Sequence, residues 1–152
     1  MIVTPDFVFI HLHRTGGRFI RSLLLDYVPG SREIGYHFPA SLIPLSCRGL
    51  PVMGFVRNPW DWYVSWYAFN RMRPRSVIFS VASNDGQLDF NSTVMNLLHL
   101  GSDSAPGCRV RKRMIERLPD RIIGNRGAGI TRSDLAAFND GQTGYYSWLV
   151  QR

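Results

Sequence analysis

The chain has almost no lysine. Among its 18 basic residues Lys112 is the only one, so the net charge of +7 is carried by arginine. With no lysine before residue 112 there is no GxxxxGK[ST] phosphate loop, and no GxGxxG dinucleotide loop occurs either. Cysteine is equally scarce. Cys47 and Cys108 lie far apart without a CxxC, which excludes a disulfide scaffold and a cysteine zinc site and leaves one bridge between them open. The four histidines lack a metal-ligand spacing, so no metal is expected. No apolar run approaches the ~20 residues that span a bilayer, and no basic leader precedes the first strand-like residues. A cytoplasmic protein without a membrane span is the expectation.

What is present is the composition of a folded protein. At 152 residues, 45% hydrophobic and 12% aromatic, the chain fits a single domain over 1–152 with a real core. An arginine-based pI near 10.1 suits bidentate recognition of phosphate or sulfate, because the guanidinium is a planar fork. General attraction to nucleic acid is the blander consequence of the same charge.

Two strand–loop–helix units organise the first half. Phe7 to Leu12 is a short apolar run suited to a buried parallel strand. From Phe19 the period changes: Phe19, Ile20, Leu23, Leu24 and Tyr27 form one helical stripe, and Pro29-Gly30 stops it. "PVMGFV", from Pro51 to Val56, reads as a second strand. It leads into "RNPWDWYVSWY", where Asn58 can cap a helix, Pro59 suits its first position and Asp61 favours the dipole. Alternation of this kind predicts an α/β domain with a parallel sheet. Farther on, Asp89 to Leu100, the basic "GCRVRKRMIERLP", Thr131 to Phe138 with Asp134 at capping distance, and "TGYYSWLVQR" all read as helices, and "RMRPRS" as a loop.

The first loop carries the chemistry. In "HLHRTGGRF" the opening amides of the helix face whatever fills the loop, Gly16 and Gly17 let the backbone approach an anion, and Arg14, Arg18 and the Thr15 hydroxyl can bond it. A lone Gly-Gly is usually a tight turn. The strand before it, the helix after it and the two arginines favour a binding loop.

"FIHLHRTGGRFI" resembles the 5′-phosphosulfate loop of sulfotransferases that use 3′-phosphoadenosine 5′-phosphosulfate, PAPS. "FVRNPWDWYVSWY" is similar to their 3′-phosphate block, with Arg57 and Ser65 on its arginine and serine. The likeness covers residues 7 to 70. His13 stands where proline is usual, Arg14 where carbohydrate enzymes have lysine, Arg18 for a small hydroxyl residue and Asn58 for aspartate. The resemblance implies a P-loop NTPase-like sulfotransferase fold, a three-layer parallel sheet flanked by helices, compact or shortened at its C-terminal end. It also implies PAPS as co-substrate, a hydroxyl-bearing acceptor, for preference a glycan, and no metal.

Within that reading Arg14 and the amides of Thr15, Gly16 and Gly17 hold the 5′-phosphate and its departing charge. Arg18 assists them, and Arg57 with Ser65 holds the 3′-phosphate. His37, in "EIGYHFP" where the family often has Gly-His, is the candidate base because imidazole titrates near neutrality. Glu33 is a second candidate. Ser65 shares a helix face with Asn58 and Asp61, beside an apolar stripe of Trp62, Trp66 and Phe69. Two other classes compete: a small nucleotide kinase, disfavoured by the missing lysine, and a non-catalytic arginine-rich module for phospho-ligands or nucleic acid.

Overall fold

The computed structural model describes residues 1–122, 129–138 and 144–152. They form two compact units, Met1–Arg57 with Ile122–Gly129 and Arg152, and Asn58–Arg121 with Ile130–Gln151.

The first unit is a mixed α/β layer. Its sheet has the order β3-β1-β2-β4, from β1 (Ile2–Val3), β2 (Val8–Ile10), β3 (Arg32–Glu33) and β4 (Val52–Gly54). Only β2 and β4 run parallel, with Val8 opposite Val52 and Ile10 opposite Gly54. β1 is antiparallel to both β2 and β3, which corrects the wholly parallel sheet expected from the alternation of strand and helix. The reason is local. The Thr4 side-chain oxygen accepts from the amides of Asp6 and Phe7, closing a tight turn that folds β1 back along β2.

The strand–helix–strand segment itself is as the pattern predicts. Between the parallel strands lies α1 (Gly17–Tyr27), ended at Val28, whose amide bonds Leu24. Its burial is not as predicted. Ile20 and Leu24 are half-buried, whereas Phe19 and Tyr27, from the same predicted stripe, are 68% and 77% exposed. The core of this unit is small: Met1, Val3, Val8 and Cys47 pack against Ile10, Ile34, Phe38, Ile43 and Leu50, and Ile2 and Phe9 are buried as well. β4 is an edge strand, and Val52, Met53, Phe55 and Val56 are exposed although all are apolar.

The second unit is helical: α2 (Pro59–Met72), α3 (Val77–Ala82), α4 (Phe90–Leu98), α5 (Ala105–Arg117), α6 (Arg132–Ala136) and α7 (Tyr145–Gln151). The predicted caps are formed. The Asn58 carboxamide accepts from the amides of Trp60 and Asp61, and Thr131 with Asp134 makes a capping box. α3 carried no clear sequence signal, being only six residues long. Thr143, where the last helical pattern begins, lies outside the described residues.

Aromatic side chains form the centre of this unit. The Trp62 ring lies 5.9 Å from Trp66 and 5.0 Å from Tyr146, and the Tyr63 hydroxyl accepts from the Tyr146 amide at 3.2 Å. Rings of this size bury about 150–250 Å² each, so a few of them supply most of a core. Both cysteines are free thiols.

Candidate functional site

The chain leaves β2 at Ile10 and reaches α1 within six residues. Making that turn requires left-handed backbone at Arg14, with φ 61°, and at Gly16, with φ 81°. The cost at Arg14 is real for a side chain with a Cβ, whereas Gly16 accepts it freely. Gly16 is the residue before the helix, and no side chain caps α1, nor does its first turn hold a carboxylate. The helix dipole therefore meets the loop without a built-in anion.

Gly17 has a different requirement. A Cβ on it would fall 1.9 Å from the His11 ring, so this glycine is dictated by packing. That revises the equal part in anion approach expected of both glycines. The Thr15 hydroxyl is also partly committed, since it donates to the Leu12 carbonyl at 2.9 Å. It tightens the turn and keeps only its acceptor capacity toward the loop.

Three guanidiniums share this end of the unit. Arg14, Arg18 and Arg57 are all exposed. The pKa of Arg14 is lowered by partial burial first, then by the neighbouring charges of Arg57 and Arg18. Arg57 is thus an electrostatic neighbour of Arg14, although 43 residues separate them in sequence. Mutual repulsion among three cations is relieved when an anion enters between them, so the cluster is chemically suited to a phosphate or sulfate.

His37 is placed by a hydrogen bond. Its Nδ1 lies 2.9 Å from the His11 carbonyl oxygen, which can only accept. Nδ1 therefore carries the proton and Nε2 the lone pair, the tautomer a general base requires. Burial holds the imidazole neutral and pushes its pKa down to about 4, the bond to His11 opposing and the terminal ammonium of Met1 adding slightly.

Around His37 lies an aromatic cluster that the sequence reading did not assemble. The ring of His13 is 4.0 Å from His37 and that of His11 is 4.5 Å from it, with Tyr36 4.4 Å away. Burial lowers His11 to about 3 and His13 well below its ordinary range. The available signal was the H-x-H spacing, which puts two rings on the same side of an extended chain. The His11 and His13 rings are tilted against that of His37, and among the described residues no group of three His, Cys, Asp or Glu side chains is arranged to hold a metal.

The remaining candidates fall elsewhere. Glu33 is held by Arg21 through two bonds of 3.0 and 2.7 Å, which commits its carboxylate to that ion pair. Arg14, Thr15, Gly16, Gly17, Arg18, His37 and Arg57 all belong to the first unit. Ser65 is carried by α2 of the second unit, where it is half-buried, and the "RVRKR" run belongs to α5 of that unit. Among the described residues no helix is long and apolar enough to cross a membrane. No family model, curated protein or solved structure matches this chain.

Proposed function

We propose that the chain is a PAPS-dependent sulfotransferase with a shortened P-loop-like fold, acting on a hydroxyl of a carbohydrate. The observation that carries this reading is the loop after β2. There left-handed backbone at Arg14 and Gly16, an uncapped helix start and the Arg14–Arg18–Arg57 cluster lie in one unit with the oriented imidazole of His37.

In the reaction the acceptor oxygen forms a bond to sulfur as the bond from sulfur to the 5′-phosphate oxygen breaks. The electron pair leaves with adenosine 3′,5′-bisphosphate, and the acceptor proton passes to Nε2 of His37. Arg14 and the amides of Gly16 and Gly17 stabilise the charge building on the bridging oxygen as fixed donors, since arginine does not give up its proton. Arg57 holds the 3′-phosphate, and Arg18 contributes to the field at the loop. No metal takes part.

One observation favours a second reading, a binding module without turnover. An imidazole with a pKa near 4 is a weak proton acceptor, although an anion bound beside it raises that value. Calorimetric titration with adenosine 3′,5′-bisphosphate, and with ATP plus magnesium, tests the binding half. Magnesium-independent preference for the bisphosphate is expected, and preference for ATP with magnesium sinks the reading. Labelled-sulfate transfer to glycans tests turnover. His37→Ala is expected to slow it by about 10²–10⁴-fold with bisphosphate affinity nearly unchanged. Undiminished transfer in that variant removes His37 as the base.

A further inference from the structure

We propose that the outer face of α5 is a docking track for an acidic polysaccharide, a single chain carrying sulfate or carboxylate groups. The proposal is independent of the transfer reading. It starts from how α5 divides its residues. Gly107 and Met114 are buried, with Val110, Arg111 and Ile115 half-buried, while Arg109, Lys112, Arg113, Glu116 and Arg117 face solvent. At about 1.5 Å rise per residue, Arg109, Arg113 and Arg117 form a row about 12 Å long, with Lys112 beside it.

Four described carboxylates of the unit, Asp89, Asp103, Asp120 and Asp134, are engaged away from that row, while Asp85 reaches only its Arg117 end. Asp103 lies 3.8 Å from Arg111 and Asp120 3.3 Å from Arg132. Asp89 caps α4, Asp134 caps α6, and Asp85 accepts from Ser80 and meets Arg117 at 3.8 Å. Among the described residues none lies within ion-pair distance of Arg109, Lys112 or Arg113, and Glu116 is the only acid on the helix. A long segregated charge row differs from the mixed charges that keep an ordinary surface soluble.

The shape of the row selects the partner. It is one helix wide, and a rigid duplex curves away from a straight line of cations after a few phosphates. No aromatic residue occurs on α5, so it offers no platform on which unpaired bases could stack. No large apolar side chain is exposed on it, which argues against insertion at a lipid surface. A flexible, base-free polyanion can follow the row over its whole length, and arginine forks suit its sulfate and carboxylate groups.

The test uses the full chain and a labelled, heavily sulfated glucosaminoglycan oligosaccharide, followed by anisotropy at about 50 mM salt and above. The triple variant Arg109→Gln/Lys112→Gln/Arg113→Gln keeps good helix formers on α5. It is expected to weaken binding at least about tenfold and to flatten the salt dependence. Arg48→Gln/Arg75→Gln/Arg121→Gln removes the same charge from exposed sites off the helix and is expected to change affinity less than about twofold. Equal losses in both variants reduce the effect to net charge and overturn the track. Stronger capture of an oligothymidylate, a DNA duplex or phosphatidylserine vesicles through the same three residues overturns the partner class. Should circular dichroism show helix loss in the triple variant, the three single variants read the same effect, each expected at about two- to threefold.

Discussion

The first unit encloses its sheet with Met1, Val3, Val8 and Cys47, whereas the second is built on Trp62, Tyr63, Trp66, Tyr145 and Tyr146. The charge follows a similar division. Eight of the arginines and three carboxylates belong to the first unit, while the second has ten cations against eight carboxylates. Most of the +7 surplus therefore sits in the unit with the smaller core, the same unit that contains the strained Arg14, the buried His11 and the half-buried His13 and His37. Cation crowding, left-handed backbone and buried imidazoles are each unfavourable for folding and each useful for binding an anion. The second unit is built differently: its helices are capped, its centre is densely aromatic, and its unpaired cations stand on the outer face of α5 rather than around a strained loop.

The largest effect is expected where the aromatic unit is attacked at its centre. Trp62→Ala removes a fully buried ring that touches Trp66, Tyr63 and Tyr146, and should cost about 3–5 kcal/mol. All four tryptophans, Trp60, Trp62, Trp66 and Trp148, lie in this unit, so urea melts followed by tryptophan fluorescence report on it. A midpoint within experimental scatter of the parent would show that the ring cluster is not the source of its stability.

Acid should act on the first unit. His11 and His37 have folded pKa values of about 3 and about 4 against 6.5 unfolded, so below pH 6.5 the unfolded chain binds more protons than the folded one. Stability is complete above about pH 6.5 and is lost as the pH falls toward 4, by up to about 1.4 kcal/mol per pH unit for each imidazole. Histidine ring resonances in nuclear magnetic resonance check this directly. Titration of the His11 and His37 rings with midpoints near 6.5 would overturn their burial as the controlling influence.

Legibility of the sequence divided along similar lines. Local grammar was readable: Asn58 before Pro59 and Thr131 with Asp134 both cap their helices as residue type dictates. Non-local facts were not. The stripe from Phe19 to Tyr27 looked like a core face, yet nothing in its period says how wide the opposing surface is, and Phe19 and Tyr27 remain outside it. The antiparallel β1 was hidden by its length of two residues, too short to show alternation. The histidine cluster needed the return of the chain at Tyr36 and His37 to meet His11 and His13, a contact no spacing encodes.

The smallest effect separates the two glycines that the sequence writes side by side. Gly16→Ala meets no atom within 4 Å, and its penalty is the left-handed φ alone, roughly 1 kcal/mol. Gly17→Ala has an ordinary helical backbone but drives a methyl into the His11 ring, an overpacking of about 1–3 kcal/mol. The positions should also differ in kind. Displacing His11 moves the carbonyl that orients His37, so Gly17→Ala should bring the His37 resonance toward ordinary imidazole behaviour, while Gly16→Ala leaves that titration as it is. Urea melts and ring titrations of the two variants supply both readouts. If both variants leave the His37 titration unchanged, the contact of Gly17 with His11 does not set the imidazole, and the tie between the anion loop and the imidazole is broken.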